Sequence, residues 1–110
     1  MAARILITGS TGAVGRQLVH HLAQLHTPGE VIVAGVHTLS RREQFHQSGV
    51  DCVLLDYDVP ESIRAALAGV TRLFLVTGYS VDMLIHAKNV LDAARTAQVE
   101  HVVHLGAAGS

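Results

Sequence analysis

The stretch Thr8-Gly9-Ser10-Thr11-Gly12-Ala13-Val14-Gly15 sets three glycines three residues apart, directly after the apolar run Arg4-Ile5-Leu6-Ile7. It leads into a segment with helical spacing, Val14, Leu18, Leu22 and Leu25. Each glycine answers a separate demand of a strand-to-helix turn. Gly9 lets the chain leave the strand tightly, Gly12 lacks the Cβ that would hold a pyrophosphate off the backbone, and Gly15 lets the helix lie close on the sheet. The opening of the helix then presents free N–H groups and a partial positive charge to the phosphates. The Gly-Lys-Ser/Thr ending of a nucleoside triphosphatase loop is missing, which excludes that class.

Outward from the turn, apolar segments of two kinds alternate. Arg4–Ile7, Val31–Ala34, Val50–Leu55, Leu73–Val76 and His101–Leu105 are continuous and rich in β-branched residues, the pattern of strands covered on both faces. Helical patterns lie between them. The first runs over 13–26 and ends at Pro28-Gly29; the second opens on the capping box Ser40-Arg41-Arg42-Glu43 and ends at Gly49. The third starts near Pro60, carries Ile63 and Leu67 and stops at Gly69, and the fourth runs from about Ser80 to Gln98 with Val81, Leu84, Leu91 and Ala94 on one stripe. Five strands alternating with four helices predict an α/β fold: a doubly wound, three-layer parallel sheet in the order 3-2-1-4-5. In that order one face of the fourth and fifth strands, on the first helix's side, has no cover from within the 110 residues. The expectation is a longer protein of which this is the first part, a single dinucleotide-binding domain over 1–110, or a partner copy that fills the gap.

Composition narrows the function classes. Apolar residues make up 49% and charged residues 15%, against a usual charged share of about 25%, so the chain is not of a disordered type. A net charge of −1, with no basic run longer than Arg41-Arg42, argues against direct nucleic-acid binding. A single Cys allows no internal disulfide and fits a reducing compartment. No apolar run approaches the ~20 residues of a membrane span, and the N-terminal run breaks at Thr8-Gly9, too early for a signal peptide; a cytoplasmic location is expected.

The turn and the strands after it resemble the NmrA-like, atypical short-chain dehydrogenase/reductase family. Besides the glycine turn, the matching stretches are Val31–Val36, Leu55-Asp56-Tyr57-Asp58, Ala66–Val70, Phe74–Thr77 and Asn89–Ala94. The resemblance implies a Rossmann-type fold that binds NAD(P). It also implies one of three activities: hydride transfer to a small carbonyl, quinone or enone, a redox-sensing regulator that binds the dinucleotide without chemistry, or a sugar-nucleotide epimerase.

The choice of dinucleotide turns on the end of the second strand, where an NAD site places an acid for the ribose 2′-OH. Here it reads Val36-His37-Thr38-Leu39-Ser40-Arg41-Arg42, with no acid to repel a 2′-phosphate. NADP is therefore favoured, with NAD still compatible. Arg41 and Arg42 supply charge from the start of the second helix. The family resemblance implies an Arg where His37 stands, so His37 is a departure. The resemblance further implies that the acid after the third strand, Asp56, next to Tyr57, meets the adenine amino group. Thr77 and Gly78 end the fourth strand on the edge where the ribose and nicotinamide would pass, Gly78 permitting close approach. The candidate cofactor residues are thus Gly9, Ser10, Thr11, Gly12, Ala13, Val14, His37, Arg41, Arg42, Asp56, Tyr57, Thr77 and Gly78.

Other chemical-looking residues carry less. The pairs His20-His21 and His101…His104 point apart on a helix and a strand, so no metal site is expected. His104 is expected to be partly buried and hydrogen-bonded, and Cys52 to be a small buried strand residue. The Tyr-x-x-x-Lys pair that the resemblance would supply does not occur: Tyr57 is followed at that spacing by Glu61 and Tyr79 by Met83. No catalytic residue is assigned.

Overall fold

The continuous apolar runs become five parallel strands. The computed structural model describes residues 3–9, 13–25, 29–36, 50–77 and 81–106. Its elements are β1 (Arg4–Ile7), α1 (Ala13–Leu25), β2 (Val31–Val36), β3 (Asp51–Leu54), α2 (Pro60–Leu67), β4 (Arg72–Thr77), α3 (Val81–Thr96) and β5 (His101–Gly106). The helix expected over 40–49 lies outside the described residues. The sheet order is β3-β2-β1-β4-β5, the order expected from the glycine turn and the strand–helix alternation.

Register explains why both faces of the central strands are apolar. Leu6 lies beside Val33 and Leu73, while Ile5 and Ile7 pair with Ile32 and Ala34 on β2. Alternate residues therefore feed two cores. On one face Leu6, Val33, Leu73 and Leu75 meet Ile63, Ala66 and Leu67 of α2 and Ala87, Val90 and Ala94 of α3. On the other, Ile5, Ile7, Ile32, Ala34, Val36 and Val76 meet Val19 of α1, with Leu18 and Leu22 packed beside it. The result is three layers around one sheet.

The helical stripes differ in detail from their sequence spacing. On α1 Gly15 and Val19 are buried, whereas Leu25, the last residue of the helix, is exposed. On α3 the buried stripe is Ala87, Val90 and Ala94, and Leu91 is exposed beside it. That helix also ends two residues before Gln98, which takes a left-handed φ of 60° and turns the chain toward β5. α2 begins with Pro60 at its first turn and no side-chain cap from Val59. Ser62 organises the entry instead: its Oγ accepts from the Asp56 N–H (2.9 Å) and points its proton at the carbonyls of Asp56 (2.8 Å) and Val59 (2.7 Å).

The edge strand is more open than expected. Phe74 and Leu105, on the α1 side, are half-buried, and Val103 between them is 42% exposed. Val102 on the opposite face is 40% exposed as well, so β5 lies beyond the cover of α3 too. His104 is exposed rather than partly buried, and Cys52 is half-buried rather than buried, since both sit on outer strands of the sheet. Among the described residues, no helix is long and apolar enough to cross a membrane.

Candidate functional site

In a parallel sheet all strands point the same way, so the turns that follow them gather along one edge. That edge brings together Thr8 and Gly9 after β1, the opening of α1 at Ala13 and Val14, the loop Asp56-Tyr57-Asp58 after β3, and Thr77 closing β4. Ser10, Thr11, Gly12, His37, Arg41, Arg42 and Gly78 lie outside the described residues. Gly9, Asp56 and Tyr57 are the candidate residues whose surroundings are described in full.

The turn is strapped to β4. The fully buried Thr8 donates its N–H to the Phe74 carbonyl (3.0 Å), and its Oγ1 accepts from the Val76 N–H (3.1 Å). A side-chain hydroxyl thereby adds one rung to the ladder where the β1 backbone departs. Gly9 follows with φ +63°, and a Cβ there would stand 2.7 Å from the Val76 carbonyl oxygen. Only glycine combines that torsion with that closeness. The first turn of α1 carries no acid of its own to offset the partial positive charge at its start. A side-chain-free position and a helix start without an acid in its first turn suit a bound diphosphate.

The loop after β3 is built by short bonds. Asp56 Oδ1 accepts from the Asp58 N–H (3.0 Å), which folds the loop back on itself and leaves the Asp56 carboxylate half-buried. Tyr57 stacks on His86 of α3 with ring centroids 4.7 Å apart and planes 9° from parallel. Its hydroxyl is buried without a well-formed hydrogen bond. Burial pushes the phenol pKa above its usual 10, and the neighbouring Thr8 hydroxyl offsets part of that rise. His86 turns Nε2 toward Asp58 Oδ1 (3.9 Å), and its Nδ1 is buried without a partner. His86 is the site residue that sequence reasoning missed. A contact between positions 57 and 86 has no local pattern; the strand order that sets α3 beside the β3 loop was the available signal.

A groove of about 530 Å³ also runs between α2 and α3, lined by residues such as Ile63, Arg64, Asn89 and Asp92. It contains none of the candidate residues. Among the described residues no group of three His, Cys, Asp or Glu side chains could hold a metal.

A parallel sheet in this order, with a strand–glycine turn–helix at its centre, defines a Rossmann-type α/β protein. A model of the NmrA-like family matches residues 1–108, and the chain belongs to that family. It is 30% identical over 99 residues to an NAD(P)H azoreductase of Xenophilus azovorans, covering 90% of this chain and 34% of that one. The structure of a triphenylmethane reductase of Citrobacter sp. complexed with NADP(H) superimposes with a TM-score of 0.77 at 31% identity, covering 92% of this chain and 36% of that one. The NADPH-dependent quinone oxidoreductase QOR2 of Escherichia coli, complexed with NADPH, gives a TM-score of 0.78 at 29% identity, covering 91% and 35%. The chain thus spans about a third of the length of these relatives.

Proposed function

We propose that residues 1–110 form the NAD(P)-binding domain of an NADPH-dependent reductase acting on a small quinone, carbonyl or similar conjugated acceptor. The observation that carries this reading is the strapped turn at Thr8-Gly9, where a positive φ and a 2.7 Å approach to Val76 admit no side chain. In this reading Gly9, Ser10, Thr11, Gly12, Ala13 and Val14 hold the diphosphate on backbone amides. His37, Arg41 and Arg42 face the 2′-phosphate, Asp56 and Tyr57 the adenine, and Thr77 and Gly78 the nicotinamide side. The bound dinucleotide supplies the hydride, and the protein's share is to orient it and exclude water. The similar proteins support the acceptor class: their names attach to azo compounds, triphenylmethane dyes and quinones.

Calorimetric titration with NADPH and NADH, followed by an NADPH-oxidation assay across a quinone panel, tests the proposal. Tighter binding of NADPH and turnover of at least one quinone are expected. Binding without oxidation across the panel would remove the reductase and leave a dinucleotide-binding protein.

A further inference from the structure

The Tyr57–His86 stack joins three elements that the sequence keeps far apart. His86 belongs to α3, Tyr57 to the loop after β3, and the Thr8 hydroxyl beside Tyr57 to the turn after β1. His86 touches the loop twice, through its ring face on Tyr57 and through Nε2 opposite the Asp58 carboxylate at 3.9 Å. The Asp58 N–H is in turn bonded to Asp56 Oδ1. Of the stack's polar atoms, His86 Nδ1 is buried without a hydrogen-bond partner, and Tyr57 Oη is buried with only the Thr8 hydroxyl beside it, short of a well-formed bond. What holds the two rings together is therefore their near-parallel stacking, with centroids 4.7 Å apart, more than any hydrogen bond between them.

We infer that His86 is a positioning residue for the dinucleotide: by stacking on Tyr57 it sets the height of the Asp56–Asp58 loop against the Thr8–Gly9 turn, so that one ligand engages both at once. The inference rests on the dinucleotide reading of the edge. It concerns register between two subsites, and it therefore separates ligands by their reach. Inorganic pyrophosphate needs the turn alone. ADP and NADPH span the turn and the loop together. Tyr57 packs against the hydrophobic core, so the change is made at its partner in the stack, His86, whose side chain is 23% exposed.

The test compares His86→Ala and His86→Phe with the parent protein, titrating NADPH, ADP and pyrophosphate by calorimetry. The alanine variant is expected to weaken NADPH and ADP about tenfold, the scale of one aromatic stacking contact, while pyrophosphate stays within about twofold. His86→Phe keeps a ring on Tyr57 and is expected to restore the affinity for both longer ligands. Equal losses for all three ligands, no loss for any, or a phenylalanine variant as weak as the alanine one would each overturn the inference. A parent protein that binds none of the three ligands would overturn the dinucleotide reading with it, whereas a parent that binds them and variants that match it would overturn the positioning role alone.

Discussion

At Gly9 two independent restraints coincide, a left-handed torsion and a carbonyl oxygen where a Cβ would go. Gly9→Ala is therefore expected to cost about 1–3 kcal/mol in urea unfolding, and to reduce NADPH affinity by more than its effect on stability explains, because the turn itself must shift. Tyr57 gives a pH dependence of known sign. Its phenol titrates above the usual value of about 10 when folded, so above that pH the unfolded chain has released a proton that the folded one retains. The stabilising contribution is complete below about pH 10 and is lost as pH rises beyond it. The parent should lose more stability between pH 9 and pH 11 than Tyr57→Phe does, measured by urea unfolding at both values; parallel losses would show that the phenol is not desolvated. Single residues were unevenly legible. Gly9 could be read from spacing because backbone geometry demands it. His86 could not, because its partner is 29 positions away and a histidine on a helix carries no periodic sign of what it stacks on.

Among the elements, strands were legible where both faces are covered. β1, β2 and β4 are short runs whose apolar side chains, such as Ile5, Leu6, Val33, Leu73 and Leu75, are buried on both faces of the sheet, so composition alone marks them. Stripes were less legible than strands: Leu25 and Leu91 fit an apolar pattern yet are exposed, because periodicity fixes which residues share a face but not how far the sheet extends beneath it. In the proposed reading Arg41 and Arg42 carry the cofactor choice. Arg41→Ala/Arg42→Ala is expected to weaken NADPH while leaving NADH nearly unchanged, since the extra 2′-phosphate is the group that a guanidinium would hold. Matched affinities for the two dinucleotides, insensitive to that change, would remove the basis for naming NADP.

For the molecule as a whole, the sheet is well covered at its centre and open at one side. Leu6 at the centre is fully buried, and Leu6→Ala is expected to cost about 2–5 kcal/mol. On β5, by contrast, Val102 and Val103 are exposed on opposite faces of an edge strand, with Phe74 half-buried beside them. The 110-residue chain alone should bind the dye ANS or self-associate in sedimentation, and Val103→Lys should diminish both; a monomer that binds no dye would show the surface to be covered.

The corner at Gln98 has a consequence of another kind. A residue other than glycine held at φ 60° keeps a steric penalty in the native state that the denatured ensemble does not share. Replacement by glycine removes the penalty but enlarges the denatured ensemble, and the two effects oppose each other. Asparagine tolerates the same torsion without adding that backbone entropy. Gln98→Asn should therefore raise the melting temperature, by about 2 °C, where glycine yields less, making this bend between helix and edge strand a place to harden the fold without touching the nucleotide edge.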